Sequence, residues 1–460
     1  MPTTISTNGA GTLIFAANAV TAITTAVSVA MPSATSTRAI VPPMADPLRH
    51  QNATLQRDDG SDLLTSDEAK EVLTAAVGRG GGRLVSWQLD HVDANPRRST
   101  TATFHTVVDW PHGRREELIG VSARADGRTR SDERAVIFGN GSREVAVWLY
   151  PDDPDLPGLH RAAFPERFAA LFTELGIVGR PVRTDQVRLE LIGYRPRRRA
   201  VIKAVVESQY GPEVFFVKAL REQSFASILG RHRLLLDAGL PAPLIAAATP
   251  DFLLVLRELP GRPLALALFD DVPPTRAEDL IAVLDAMPPQ VAGLDRHRPW
   301  TDAVDQYATM VSTALPEAEP MLTAMVNHIR SGLAGIPLGN EPTHGDFYEA
   351  QVFVSSGRVS GILDIDTIGP GRRADDLACL VAHLATVQRM NAAQAARVQR
   401  LLTEWLPVFD SRVDPVELRL RAAAVAISLA TGPYRGQEPD WQGETWQILR
   451  SADQLIRSIS

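Results

Sequence analysis

Cysteine is nearly absent from this 460-residue chain: the one thiol is Cys379, in an apolar helical run. A single thiol excludes an internal disulfide and a cysteine-based zinc site. A reducing cytoplasm fits that usage. Basic excess is also missing, since the net charge is -7 and no lysine- or arginine-rich tail exists. With no RNP, zinc-finger or heptad pattern either, a nucleic-acid partner is not expected. The chain has no charged residue before Arg38, and its opening is rich in Ala, Thr, Ser and Val. That stretch lacks the positive start of an export signal and is too polar for a membrane helix. It is read as a disordered leader over 1–60, with Met31 or Met44 as alternative starts and an export signal as the minority reading, and no membrane association is expected. A Walker A sequence and a G-x-G-x-x-G motif are both lacking.

Of what is present, a 45% hydrophobic composition over this length supports two to four units with buried cores. Order is expected to begin with the helix in "SDLLTSDEAKEVLTAAV". Five strand candidates follow: "RLVSWQLDHV", "TATFHTVVDW", "EELIGVSARA", "RAVIFGN" and "EVAVWLY". They make a small α+β unit over 61–158, closed by the Pro/Asp-rich "PDDPDLPGL". A connecting helix, "PERFAALFTELG", leads to a second strand-rich unit over 159–260. There "QVRLELIGY" and "RAVIKAVVES" flank the basic turn "RPRRR". "EVFFVKAL" is a third strand, "SFASILGRHRLLLDAG" a helix and "DFLLVLREL" a further strand. From 261 to 460 the apolar spacing is helical, except in one segment.

That exception, "PTHGDFYEAQVFVSSGRVSGILDIDTIGPG", sets acids at the ends of apolar strands. "QVFV" and "RVSGILDID" read as a hairpin around "SSG". Antiparallel pairing then brings Asp346, Gln351 and Asp364 together. Three oxygen-bearing side chains on one point suit Mg²⁺, which keeps waters and takes other ligands from phosphates. Lys218, among apolar residues of a strand, needs a counter-charge, since burying an unpaired ammonium is costly.

The ordered set "HGDFYEAQ", "GILDID", "GPG" and "DDLA" resembles the aminoglycoside phosphotransferase and choline kinase-like family of the protein kinase-like superfamily. The likeness covers about residues 185–460. The preceding unit is similar to the N-terminal cap of maltokinase-like proteins. The resemblance implies a bilobal kinase-like α+β fold behind a cap, using ATP and Mg²⁺. It makes Asp346 the catalytic base, and Asp364 and Gln351 the metal ligands, although the family's usual residue at Gln351 is Asn. Lys218 would bind phosphates, with Glu222 as its nearest acidic neighbour. Arg257, Glu258 and Leu259 would form the hinge against adenine. Arg197 and Arg198, in the place of the Gly-rich loop, would cover the triphosphate or form a solvated tip. His344, Asp366 and Asp376 would support the loop or the metal. The implied acceptor is a hydroxyl of a sugar, amino sugar or aminoglycoside. A non-catalytic pseudokinase is the alternative, favoured by Gln351 and the missing glycines. The short interval between "GILDID" and "DDLA" leaves no room for a protein-kinase activation segment.

Overall fold

The computed structural model describes residues 39–40, 59–95, 98–125, 135–139, 144–270, 272–387 and 390–459. The expected leader falls mostly outside them; within it, Ala39–Ile40 is a two-residue strand running parallel to Phe138–Gly139.

All five strand candidates of the N-terminal unit form strands. Arg83–Asn95, Ser99–Trp110 and Gly113–Arg124 make an antiparallel meander, and Glu144–Leu149 adds to its far side, followed by Val136–Gly139. Helix Ala69–Arg79 presents Ala69, Leu73 and Val77, four residues apart, to that sheet. They pack with Phe104, Val108, Ile119, Val121 and Val147 in one apolar cluster. Gly120 is required here, because a Cβ would come within 2.3 Å of the Trp148 ring.

The second sheet runs Ile245–Ala248, Leu253–Arg257, Gly211–Leu220, Arg199–Ser208, Val187–Arg195, antiparallel throughout. Strand Arg199–Ser208 alternates strictly, with Ala200, Ile202, Ala204 and Val206 buried. They face helix Pro165–Leu175 through Phe168, Leu171 and Phe172. The opposite face carries Arg199, Val201, Phe216 and Lys218 toward a cleft. Helix Glu222–Asp237 covers one end of the sheet, its Phe225, Ile228 and Leu229 against Leu220, Leu254 and Leu256.

The Pro/Asp-rich segment between the two sheets reads as a surface turn but is a buried joint. Asp153 is fully buried and accepts bonds from the Asp155 N–H (2.8 Å), the Tyr194 hydroxyl (2.7 Å) and the Arg197 N–H (2.7 Å). Trp148 of the first sheet donates to the same Tyr194 oxygen at 2.7 Å. One carboxylate thus ties the first sheet to the turn of the second.

Beyond the second sheet the chain is mainly helical. Helix Pro415–Leu429 is buried on nearly every face from Glu417 to Ser428. Helices Arg373–Thr386, Ala392–Arg412 and Trp441–Arg457 share its core. Against them lies the hairpin Val352–Ser355/Arg358–Ile362, paired Val352 to Ile362. No helix among the described residues is long and apolar enough to cross a membrane.

Candidate active site

Lys218 is buried on the central strand and finds its counter-charge across the cleft. Its Nζ lies 2.9 and 3.0 Å from the Asp366 carboxylate oxygens and 3.3 Å from Asp364 Oδ1. Arg199, opening the adjacent strand, reaches both Asp364 oxygens at 3.2 Å and Asp366 Oδ2 at 3.4 Å. Two cations from the sheet therefore neutralise two carboxylates from the helical lobe, and leaving either unpaired would be costly. Burial alone would lower the Lys218 pKa, but Asp366 and Asp364 outweigh it and the pKa is raised. Burial works the other way on Asp366, yet Lys218 and His232 hold its carboxyl far below the usual range. His232 of helix Glu222–Asp237 approaches Asp366 at 3.6 Å.

The return strand ends at Ile362 rather than continuing through the acids. Asp364 takes a left-handed conformation (φ 49°), and Ile365–Thr367 forms a single 3-10 turn. Asp364 and Asp366 thereby reach the same two cations. Gln351 lies just before its strand, not in it. Its backbone carbonyl accepts the Leu363 N–H at 2.7 Å, which fixes the two segments side by side next to Asp364. The Gln351 amide nitrogen donates to the Tyr348 hydroxyl at 2.9 Å, which leaves the amide oxygen as the atom available to a metal.

Asp376 organises the His344–Gly345–Asp346 loop. This buried carboxylate accepts from the His344 N–H (3.0 Å), the Gly345 N–H (2.8 Å) and Arg373 (2.9 Å). His344 is itself buried and meets the Leu363 carbonyl through Nε2 at 2.8 Å. Gly345 has φ +82°, and a Cβ there would come within 2.8 Å of the Thr367 carbonyl oxygen, so the loop needs glycine. The loop holds Asp346 half-buried within reach of the charges of Asp364, Arg199 and Arg195. Burial, then the Asp364 charge, pushes its pKa up to about 7, against the pull of Arg199 and Arg195. Cys379 Sγ lies 3.8 Å from its Oδ1.

Lys218, Arg199, Asp364 and Gln351 line a cavity of about 570 Å³, a volume typical of small-molecule sites, whereas Asp346 and Asp366 are not on its wall. Arg257 and Leu259 line it, Arg257 also pairing with Glu213 at 2.7 Å. Glu258 and Glu222 are not on its wall. Arg197 and Arg198 also turn away from it. Arg197 sits over the Trp148 ring and pairs with Asp155, and Arg198 pairs with Asp93. The arginines of that turn that enter the cavity are Arg195 and Arg199. Strand alternation could have singled out Arg199, since it shares a face with Val201 and opposes buried Ala200. His232, Arg435 and His91 had no comparable signal. Glu349 is buried, and burial pushes its pKa up to about 7. Asp375 pairs with Arg421 at 2.7 Å, which is a structural role.

Among the described residues, no cluster of three or more His, Cys, Asp or Glu side chains is arranged to hold a metal unaided. Asp364 and the Gln351 amide oxygen, both on the cavity wall, are hard oxygen donors of the kind Mg²⁺ takes.

Residues 206–412 match the model of the phosphotransferase enzyme family, APH. This segment includes the Lys218 strand, the His-Gly-Asp loop and the hairpin that follows it, and the sheet and helical lobe around them form a bilobal kinase-like fold. The match supports a kinase or phosphotransferase acting on a hydroxyl. Similar solved structures include a thermostable mutant of aminoglycoside phosphotransferase APH(4)-Ia, at 15% identity and TM-score 0.44, covering 64% of this chain and 99% of that one. Macrolide 2'-phosphotransferase MphH from Brachybacterium faecium aligns at 18% identity and TM-score 0.37, covering 62% and 98%. Choline kinase LicA from Streptococcus pneumoniae aligns at 12% identity and TM-score 0.40, covering 59% and 93%. No curated protein matches the chain.

Proposed function

We propose that this protein is an ATP-dependent phosphotransferase that moves the γ-phosphoryl group to a hydroxyl of a sugar, amino sugar or aminoglycoside. The observation that carries this reading is the convergence of Lys218, Arg199, Asp364 and Asp366 beside Asp346. Phosphoryl transfer asks mainly for positioning and charge stabilisation. Lys218 and Arg199 supply cations for the phosphates. Asp364 and Gln351 would hold Mg²⁺, which neutralises charge on the phosphate oxygens when bound. The backbone of Arg257 to Leu259 is the proposed adenine contact. Asp346 accepts the acceptor's hydroxyl proton as its oxygen bonds to the γ-phosphorus, and the bond to the β–γ bridging oxygen breaks to release ADP. A carboxylate whose pKa lies at about 7 suits a general base at neutral pH. His344 and Asp376 act by holding the loop.

The test is ADP release across a panel of sugars, amino sugars and aminoglycosides, with and without Mg²⁺. Mg²⁺-dependent release with one acceptor class is the expected outcome. Mg²⁺-independent nucleotide binding with no release on any acceptor would favour the pseudokinase reading.

A further inference from the structure

The cavity has a second wall, built by the N-terminal sheet and the short helix Gly432–Arg435. Strand Arg83–Asn95 brings His91 to it, and strand Val187–Arg195 brings Arg195. His91 is only 7% exposed, yet neither ring nitrogen has a hydrogen-bond partner. Among the described residues, no hydrogen bond or ion pair reaches the Arg195 guanidinium, which projects into the cavity. Arg435 shares Asp93 with Arg198, at 3.2 and 3.0 Å, and its buried Nε has no partner. Three guanidinium groups thus crowd the neighbourhood of the Asp93 carboxylate. Asp90, beside His91, is already engaged by Thr103 at 2.9 Å and His105 at 3.3 Å. Glu438 and Glu444, also on this wall, each have partners as well.

We propose that Arg195, Arg435 and His91 form an oxyanion subsite for a carboxylate or phosphate group carried by the acceptor. The His91 ring nitrogens and the Arg435 Nε are buried without partners, which is costly, while Arg195 is an exposed cation on the same wall, and an anion meeting these groups forms charge-assisted bonds. Enclosure lowers the Arg195 pKa, and so do Arg199, Arg435 and Arg198, a crowding of like charge that an anion relieves. Burial and the Arg435 charge bring the His91 pKa down to about 4, so its ring is neutral and offers one N–H. Lys218 and Arg199 already face the proposed metal and phosphate groups, so the subsite lies toward the acceptor. This assignment rests on the phosphotransferase reading. It narrows the acceptor to one with both a hydroxyl and an anionic group, and makes the N-terminal sheet part of substrate recognition.

The experiment is calorimetric titration of the full chain, saturated with Mg²⁺ and AMP-PNP, with inorganic phosphate and separately with acetate. Binding of either ion on top of the nucleotide is expected, with acetate separating a carboxylate site from a phosphate site. Arg195→Met should weaken it about tenfold or more, on the scale of one charge-assisted contact. His91→Leu should weaken it less, and both should keep nucleotide affinity within about twofold. Arg435→Gln serves as the replacement if Arg195→Met fails to fold. Unchanged ion binding in the variants, or no ion binding to the parent, overturns the proposal. So does a loss of AMP-PNP but not ADP affinity in Arg195→Met, which would give the cluster to the γ-phosphate. Arg195-dependent ion binding by a chain that does not bind Mg²⁺·AMP-PNP would uphold the subsite and refute the phosphotransferase reading.

Discussion

The two walls of the cleft handle charge in opposite ways. On the proposed nucleotide side, Lys218 and Arg199 neutralise Asp364 and Asp366 through contacts of 2.9 to 3.4 Å. On the other side, His91 is buried without a partner, and Glu349 keeps an unbonded buried oxygen. A closed ion network makes a rigid, self-consistent frame, whereas unsatisfied buried groups gain only when something else arrives. The contrast separates residues that build the site from residues that read a ligand.

Breaking the closed network should have the largest effect. Lys218→Met leaves two buried carboxylates sharing Arg199 as their cation, with only the His232 ring beside Asp366. Removing one partner of a buried ion pair costs about 3–5 kcal/mol, so urea unfolding at neutral pH should show a loss of that order. A loss below about 1 kcal/mol would mean the network is solvated and the contrast false.

Glu349 sharpens the other side. Burial raises its pKa from an ordinary 4.5 to about 7, so the folded chain holds this proton more tightly than the unfolded chain does. Its contribution is therefore fully present below pH 4.5 and is lost as pH rises through 7. The loss is up to about 3 kcal/mol, at about 1.36 kcal/mol per pKa unit. Glu349→Gln should thus unfold like the parent at about pH 4 and be more stable at about pH 8. Parallel pH–stability curves for the two proteins would contradict this.

Gln351 tests the edge between the walls. Gln351→Leu keeps similar bulk and removes the amide oxygen, so half-maximal nucleotide binding should need about tenfold more Mg²⁺, on the scale of one lost ligand contact. An unchanged requirement would leave Gln351 with only its bond to Tyr348. The smallest effect belongs to Asp93→Asn. Its pairs with Arg198 and Arg435 are partly exposed. Such pairs contribute about 0–1 kcal/mol, so the urea midpoint should barely move. A loss as large as that of Lys218→Met would erase the difference between the two walls.

Much of the wall built by Lys218, Asp364 and Gln351 was legible in the sequence. The lone lysine in "EVFFVKAL" demanded a counter-charge, and the hairpin "QVFV"/"RVSGILDID" placed Asp364 near Gln351. Five of the six strands of the first sheet were equally readable from alternation and turn residues. What could not be read depended on distant contacts. Glu222 is the nearest acid after Lys218, but the partners observed lie 146 and 148 positions away. The turn at Ile365–Thr367 interrupts the strand pattern and makes Asp366 an equal partner of Lys218. Arg197 and Arg198 looked suited to phosphates, yet Asp155 and Asp93 of the preceding unit draw them aside. Asp153 lies in the segment that closes the first unit, and composition does not reveal that three donors converge on it. Arg435 meets Asp93 across 342 positions, a pairing that no local pattern announces.

In the proposed reaction Asp364 holds a metal-bound nucleotide while Asp346 serves the chemistry. Mg²⁺-dependent AMP-PNP affinity in the parent, Asp364→Asn and Asp346→Asn separates the two roles. Tight, Mg²⁺-dependent binding is expected in the parent, with loss of the Mg²⁺ dependence in Asp364→Asn and nearly parental binding in Asp346→Asn. Equal affinity with and without Mg²⁺ in all three proteins would contradict that division of labour.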